Sequence, residues 1–215
     1  MTPTIRVKLW GDYACFTRPE FKAERVSYEV MTPSAARGAI EAILWRPAIF
    51  WIVRRIEVLR PIRFIGFHRN EVTDRAPAEH LAAQAAAGRM TAFLADERRA
   101  QRHTLALRDV AYVVEVSPQL TPRAGPGETI AKFVDMLTRR VRRGQSYHQP
   151  SFGLREFAAN FGPDDGEPPI GDTRDIGQML HDIEYGNPNR PHFFAARLEN
   201  GILRVPTPSW LAKTA

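Results

Sequence analysis

The pattern of apolar and polar positions divides the first third of the chain into a strand, a helix and further strands. Residues 4–10 alternate between apolar and polar side chains, which predicts a half-buried strand. Apolar residues then recur at helical spacing, with Thr32 as a cap, Pro33 in the first turn and Pro47 just after the end. Residues 48–67 are rich in β-formers, but their alternation slips by one at a pair of arginines. They predict two strands or one long bulged strand.

The middle of the chain contains a weakly patterned stretch followed by two well-patterned ones. Residues 68–103 are polar and alanine-rich with a weak apolar pattern, so we expect a mobile or surface insertion there. Residues 104–116 return to a strong strand pattern. Residues 129–143 place apolar side chains at helical spacing and are followed by Gly144, which suits a helix end.

The last quarter of the chain is rich in turn signals and short β segments. Residues 175–185 fit either a strand or a short helix. Residues 192–206 predict a hairpin, because Asn200 and Gly201 form a strong two-residue turn signal between two β segments.

The order of these elements predicts the fold class. Strand, helix, strands, insertion, strand, helix and strand is the order of a ferredoxin-like fold, which RNA-recognition modules share. We therefore expect an α+β protein with a ferredoxin-like domain over residues 1–162, interrupted by the insertion at residues 68–103, and a small β-rich region over residues 163–215. This fold supports many activities, so function must be inferred from particular residues.

Composition narrows the setting in which the protein works. The chain has 215 residues, 44% of them hydrophobic, which is enough for a core in one domain with at most a small appendage. The single cysteine, Cys15, excludes a disulfide framework and a cysteine-based metal site and fits a reducing compartment. No signal-peptide segment opens the sequence, and the longest apolar run, residues 48–53, is too short to cross a bilayer. We expect a cytoplasmic protein with no membrane association.

Charge favours a polyanionic partner. The net charge is +6 and the isoelectric point is about 9.9. The densest positive charge lies off the core stripe of the second predicted helix, at Arg139, Arg140, Arg142 and Arg143. At a helix C-terminus these side chains either stay solvated and complement the helix dipole or contact a nucleic acid. If RNA is bound, we expect them to touch phosphate.

Further RNA contacts are predicted near the start of the chain. Residues 11–21, GDYACFTRPEF, form either a loop packed by its aromatic side chains or a surface for stacking and phosphate binding. Tyr13 and Phe16 are the stacking candidates of this segment. Arg18 and Arg37 are secondary candidates for phosphate contacts.

Sequence motifs limit the chemistry. The chain has no Walker A, GxSxG, HExxH, CxxC or GxGxxG motif and no close pair of histidines with metal-ligand spacing, so we expect neither a metal nor another cofactor. RNA cleavage by the ribose 2′-OH needs only groups that move protons and stabilise charge on the phosphate, and Tyr, His and Lys are usual in these roles. The candidates are Lys132 in the first turn of the second helix, Tyr147 and His148 after it, and His103 before a strand. Each also has an ordinary interpretation as a solvated or structural side chain.

Five segments carry a resemblance to one known family. They are GDYACFTRPEFKAERVSYEVMTPSAARGAIEAILWRPAIFWIVRRIEVLRPIRF at 11–64, RNEV at 69–72, LRDVAYVVEV at 107–116, RRGQSYHQPSFGLREFAANF at 142–161 and LENGILRVPTP at 198–208. Together they resemble the CRISPR-associated RAMP proteins of Cas family five, type I-C. The resemblance implies a ferredoxin-like domain with a small C-terminal β domain, binding of the repeat-derived 5′ handle of CRISPR RNA, and a place among the subunits of the type I-C Cascade complex. It also implies metal-independent cleavage of precursor CRISPR RNA.

The catalytic residues that the resemblance implies are only partly present. The family has a tyrosine before the tryptophan that ends the first helix, where this chain has Leu44 before Trp45. It has a Lys-His pair at the start of the second helix, where this chain has Lys132 and Phe133. Cleavage then uses Lys132 with other candidates named above, or the chain is a non-catalytic RNA-binding scaffold. A third hypothesis, from outside the family, is a ferredoxin-like module that binds a small acidic ligand.

Overall fold

The computed structural model describes residues 3–21, 24–73, 78–88, 95–185 and 188–208. The strands are β1 (Ile5–Ala14), β2 (Arg25–Val26), β3 (Ile49–Val58), β4 (Phe64–Val72), β5 (Arg99–Leu120), β6 (Asn160–Pro163), β7 (Arg174–Glu184), β8 (Arg190–Glu199) and β9 (Ile202–Arg204). The helices are α1 (Pro33–Ile43), α2 (Ala78–Ala86) and α3 (Ile130–Arg143). None of the helices in the described part of the chain is long and apolar enough to cross a membrane.

One large, mainly antiparallel sheet dominates this mixed α/β structure. Its strand order is β6-β1-β5-β3-β9-β8-β7, and β2 and β4 pair with β5 off this path. The predicted slip in alternation is a register shift between Val53 and Arg55, where β3 pairs with β5. Residues 48–67 thus form two strands, β3 and the start of β4, and the first of them is bulged.

The two predicted helices form where their local signals place them. The Thr32 hydroxyl accepts a hydrogen bond from the backbone N–H of Ala35 at 3.2 Å and caps α1. Thr129 caps α3 in the same way, and Gly144 ends it in the left-handed conformation with φ 62°. Both helices bury their apolar stripes in one core with alternate residues of β1. They contact each other as well as the sheet.

The two ends of the segment expected to be an insertion belong to a pair of strands, which we call the β4–β5 arm, and α2 lies between those ends in the chain. β4 and β5 pair continuously from Phe64 opposite Leu107 to Val72 opposite Arg99. The expectation of a mobile or surface insertion over residues 68–103 did not include the paired strands at its two ends, residues 68–72 and 99–103. The sequence pattern did not predict this arm because its outer face is polar. Its two strands pair through backbone hydrogen bonds, which do not depend on side-chain type. Residues 74–77 and 89–94 of this segment lie outside the described residues.

The C-terminal strands extend the main sheet. The ambiguous residues 175–185 form strand β7, which pairs with β8. Asn200 and Gly201 have φ of 47° and 74° and make the predicted turn between β8 and β9. β9 in turn pairs with β3, from Arg55 opposite Arg204 to Glu57 opposite Ile202.

Part of the sheet face opposite the helices is covered by an acidic segment, residues 164–170, which we call the acidic strap. Lys8 of β1 contacts Asp165 at 2.6 Å and Glu167 at 2.9 Å, and Arg60 also contacts Glu167. Arg6 is bound in the same way by carboxylates of the strap and the sheet. These three cations are therefore paired with carboxylates within the protein.

Acid should release part of the strap. Hydrogen bonds from Arg60 and Lys8 lower the pKa of Glu167 below its usual value. A lowered folded-state pKa stabilises the fold above the unfolded value of about 4.3, and this contribution is lost as the pH falls through the folded value. Glu167→Gln should lower the free energy of unfolding by about 0.5–1 kcal/mol at pH 7, a magnitude usual for partly exposed pairs.

Urea unfolding at a series of pH values measures this effect. The difference between wild type and Glu167→Gln should be complete well above the unfolded pKa of about 4.3 and should shrink as the pH falls below that value, through the lowered folded-state pKa. Glu199→Gln is the matched control, because this carboxylate is 57% exposed and its closest contact, with Arg197, is 3.7 Å long. A difference between wild type and Glu167→Gln that does not change with pH would contradict the ion-pair account.

Candidate nucleic-acid interface

The C-terminal end of α1 is closed by groups from elsewhere in the chain. The last carbonyls of a helix have no partner within the helix and need donors from outside. The carbonyl of Ile43 accepts a hydrogen bond of 2.5 Å from Nη1 of Arg140. Nε1 of Trp51 donates to the carbonyl of Leu44 at 2.9 Å. These bonds hold the end of α3 and the start of β3 against the end of α1.

The loop after α3 is fixed to the same end of α1. The backbone N–H groups of Tyr147 and His148 both donate to the carbonyl of Ala42 at 2.9 Å. The two rings lie 4.2 Å apart between centroids, and Tyr147 is 64% exposed. Two of the predicted catalytic side chains are thus adjacent, open to solvent and held in place through their backbone.

The predicted arginine cluster lies next to this loop and divides into two kinds of residue. Arg140 is half-buried and binds the end of α1, so its role is at least partly structural. Arg139, Arg142 and Arg143 are exposed, and no ion pair is found for them within the described part of the chain. We call these three the helix-end arginines. They are free to bind an external anion.

Lys132 lies at the opposite end of α3 from the other candidates. Its Nζ is 3.8 Å from Glu128, and its side chain is 49% exposed. Twelve residues separate it from Gly144, which corresponds to about 18 Å along a helix at 1.5 Å per residue. The structure therefore does not bring Lys132 together with Tyr147 or His148. A single reaction centre can therefore include Lys132 or the Tyr147–His148 pair, but not both.

His103 belongs to the β4–β5 arm. It lies directly opposite His68 in the strand pairing, with ring centroids 5.0 Å apart. Sequence spacing could not reveal this pair, because the two histidines are far apart in the chain and only the strand register brings them together. Among the described residues, no group of three or more His, Cys, Asp or Glu side chains could hold a metal ion.

The candidates of the first loop are packed within the protein. Phe16 is only 2% exposed and lies among core aromatic rings, so the prediction that it stacks on RNA is wrong. Tyr13 is 37% exposed, and its ring packs edge-on against Phe67 at 5.1 Å. The guanidinium of Arg18 lies 4.4 Å from the ring centre of Tyr28. The interpretation of a segment packed by its aromatic side chains fits better, but residues 11–14 continue β1, so only the residues after them form the predicted loop.

Arg37 is a structural cation. It donates to both carboxylate oxygens of Asp182, at 2.6 and 3.0 Å, and to Glu41 at 2.8 Å. Its guanidinium also lies 4.8 Å from the ring centre of Phe50. Burial opposes its charge, but hydrogen bonds and attraction from the two carboxylates raise the pKa of Arg37. Because two carboxylates hold its guanidinium, Arg37 ties α1 to β7 and is not placed to bind phosphate, contrary to the prediction.

An aromatic groove next to the end of α1 was not anticipated from the sequence. It has a volume of about 480 Å³, and its lining includes Trp45, Arg46, Phe50, Arg123 and Tyr185. We call it the Trp45 groove. Trp45 is 51% exposed and Tyr185 75%. One signal in the sequence could have indicated this groove. Trp45 is a large aromatic residue at the end of the first helix, lies off its apolar stripe and directly precedes Arg46.

Comparison with known proteins identifies the family of this chain. The family described as CRISPR-associated protein (Cas_Cas5), subfamily Cas5d, matches residues 4–206. Two relatives are named "CRISPR pre-crRNA endoribonuclease Cas5d". The one from Mannheimia succiniciproducens is 46% identical, covering 96% of each chain, and the one from Thermus thermophilus is 42% identical, covering 94% of this chain and 91% of its own. A solved structure described as "Crystal Structure of CRISPR-associated Protein" shares the fold, with a TM-score of 0.70 and 20% identity over 97% of this chain and 94% of its own. The chain therefore belongs to the Cas5d family of CRISPR-associated proteins.

Proposed function

We propose that this protein binds CRISPR RNA at the end of α3 and cuts precursor CRISPR RNA there without a metal ion. The two relatives that match it along nearly their whole length are named as pre-crRNA endoribonucleases. The observation that carries the proposal is the exposed Tyr147–His148 pair beside the helix-end arginines. A proton-transferring group and unpaired cations are the minimum that phosphodiester cleavage by a 2′-OH requires.

In the proposed reaction, the ribose 2′-oxygen attacks the adjacent phosphorus. His148 accepts the proton of the 2′-OH as the new O2′–P bond forms. The helix-end arginines stabilise the additional negative charge on the phosphate. The P–O5′ bond then breaks, and the leaving 5′-oxygen takes a proton from the solvent or from protonated His148. The products carry a 2′,3′-cyclic phosphate and a 5′-hydroxyl, and Tyr147 offers a ring on which a neighbouring base stacks.

The helix side of the sheet is the better place for RNA in this protein. RNA-recognition modules of similar topology bind bases on the open face of the sheet. Here the acidic strap covers part of that face, and Lys8 and Arg6 are already paired with its carboxylates. An RNA strand at this face meets negative charge, whereas the helix-end arginines have no ion-pair partner among the described residues.

Incubation of a labelled repeat RNA with the protein in EDTA tests the activity. Mass spectrometry of the RNA ends should detect the 2′,3′-cyclic phosphate or its hydrolysed form. His148→Asn should lower the single-turnover rate about a hundredfold, a usual effect for loss of a general acid or base. Lys132→Ala is the matched comparison at the other end of α3, and its rate should stay near that of wild type. If only Lys132→Ala loses activity, the reaction centre lies at the start of α3 and our assignment is wrong.

A non-catalytic RNA-binding scaffold is the second candidate function. Leu44 and Phe133 occupy the positions where the resemblance implies polar catalytic groups, and both are buried, at 0% and 1% exposure. Tight binding of repeat RNA with no cut product at any protein concentration would favour this function. Under the third hypothesis, in which the protein binds a small acidic ligand, its affinity for RNA should not fall steeply as the salt concentration rises.

We further propose a ferredoxin-like core and a place in the type I-C Cascade complex, acting in the cytoplasm. The adjacent strands β6-β1-β5-β3, with helices after the first and third strands in chain order, support the ferredoxin-like assignment. β7, β8 and β9 then form the small C-terminal β region on the far side of β3. The resemblance supports retention of the 5′ handle after cleavage and contacts with other Cascade subunits.

A further inference from the structure

The Trp45 groove lies where the turn after α1 meets the loop that leads into α3. Its walls are fixed to each other in the free protein. The hydroxyl of Thr121 donates to the carbonyl of Pro47 at 2.6 Å, and the N–H of Thr121 donates to the carbonyl of Ala48 at 2.9 Å. The N–H of Arg123 in turn donates to the Thr121 hydroxyl at 3.2 Å. A ligand therefore enters a preformed site and orders little of the chain.

Two aromatic side chains of the groove are open to solvent. Trp45 is 51% exposed and Tyr185 is 75% exposed, and both line the groove. Phe50 forms a deeper part of the wall and is backed by the guanidinium of Arg37 at 4.8 Å. Exposed indole and phenol rings next to a cavity offer stacking faces to a planar ligand.

The charge of the groove is positive. Arg46 and Arg123 are exposed, and the described part of the chain provides no ion-pair partner for either. Glu41, the one acidic residue among the described lining residues, is held by Arg37 at 2.8 Å. Stacking faces together with unpaired arginines match a nucleotide, which combines a planar base with a phosphate.

The groove and the helix-end arginines flank the same end of α1. Arg140 binds the carbonyl of Ile43, and Trp45 follows two residues later. We infer that the Trp45 groove is a second RNA subsite that binds one unpaired nucleotide, with its base stacked on Trp45 and Tyr185 and its phosphate bound by Arg46 and Arg123. This inference rests on the proposed function, because it takes the ligand to be RNA. The nucleotide must be unpaired, since a base within a duplex has no free face to stack.

Fluorescence anisotropy with a single-stranded repeat fragment and a fully paired duplex of the same length tests the subsite. Trp45→Ala should weaken binding of the single strand roughly 5- to 100-fold, as expected for one stacked base, and change duplex binding little. Trp45→Phe should restore most of the affinity. Trp10→Ala is the matched control, because Trp10 is also exposed, at 39%, but lies on the opposite face of the sheet, and it should bind like wild type.

A photo-cross-link locates the base. A single-stranded repeat fragment carrying 4-thiouridine should cross-link to the peptides that contain Trp45 or Tyr185, and the Arg46→Gln/Arg123→Gln double variant should weaken this link. Unchanged single-strand affinity for Trp45→Ala, together with weakened binding after replacement of the helix-end arginines, overturns the subsite and leaves the proposed function standing. No RNA binding by the wild-type protein overturns both. If Trp45→Ala keeps full RNA affinity but no longer assembles with other Cascade subunits, the groove holds a protein partner and the inference is wrong.

Discussion

Replacing the helix-end arginines together with glutamine should lower the affinity for repeat RNA by about 100- to 1,000-fold at low salt. Each of Arg139, Arg142 and Arg143 is exposed and has no ion pair with a carboxylate of the described residues, so each can give a charge-assisted hydrogen bond to phosphate. Such bonds contribute about 1.5 kcal/mol each at the lower end of their range, or roughly tenfold in affinity. The salt dependence should flatten too, because each lost phosphate contact on a single strand removes about 0.7 from the slope of log K against log salt.

Anisotropy titrations over a range of salt concentrations measure both effects. The matched control replaces Arg63, Arg197 and Arg204 with glutamine, which lowers the net charge of +6 by the same amount but on exposed positions away from α3. Equal losses of RNA affinity in the two triple variants would mean that the net charge controls binding and that contacts of the helix-end arginines do not. Loss of the favourable interaction with the helix dipole should cost about 0.3–1 kcal/mol per arginine, so unfolding curves must accompany the titrations.

Local signals in the sequence predicted the elements that carry the candidate site. Thr32 and Gly144 are caps whose effect is confined to one helical turn, and each caps its helix as predicted. The turn at Asn200 and Gly201 is equally local. Such elements follow from the residues themselves, because few distant contacts are needed to form them.

The strand register and the paired charges could not be predicted in this way. The β4–β5 arm pairs residues that are 27 to 43 positions apart in the chain. None of the residues of β4 is buried, so the sequence pattern shows no core face there. Phe16 and Trp45 illustrate the same limit, because an aromatic residue type does not reveal whether its ring is buried at 2% exposure or open at 51%. Arg37 was wrongly predicted as a phosphate ligand. Its ion-pair partner, Asp182, lies 145 residues further along the chain, and the sequence alone does not show that the two meet.

Arg37→Met should lower the free energy of unfolding by about 3–5 kcal/mol, because it leaves a buried carboxylate without its cation. The side chain of Asp182 is only 5% exposed, and its two bonds to Arg37 are 2.6 and 3.0 Å long. Its remaining hydrogen bond, from the N–H of Ile183 at 2.8 Å, does not neutralise the charge. Because this pair joins α1 to β7, its loss weakens the contact between the proposed ferredoxin-like core and the C-terminal strands.

A double-mutant cycle in urea separates the pair from its surroundings. Arg37→Met/Asp182→Leu should recover most of the lost stability, since no charge is then left buried. Arg25→Met is the matched control, because its ion pair with Glu71 is 3.3 Å long and more than a third exposed on both sides, and it should cost less than about 1 kcal/mol. The double variant, which stays folded, should keep the wild-type salt slope for RNA binding, because Arg37 contacts no phosphate. A flattened slope in that variant would restore Arg37 as an RNA ligand, and equal stability losses for the single and double variants would refute the buried-charge explanation.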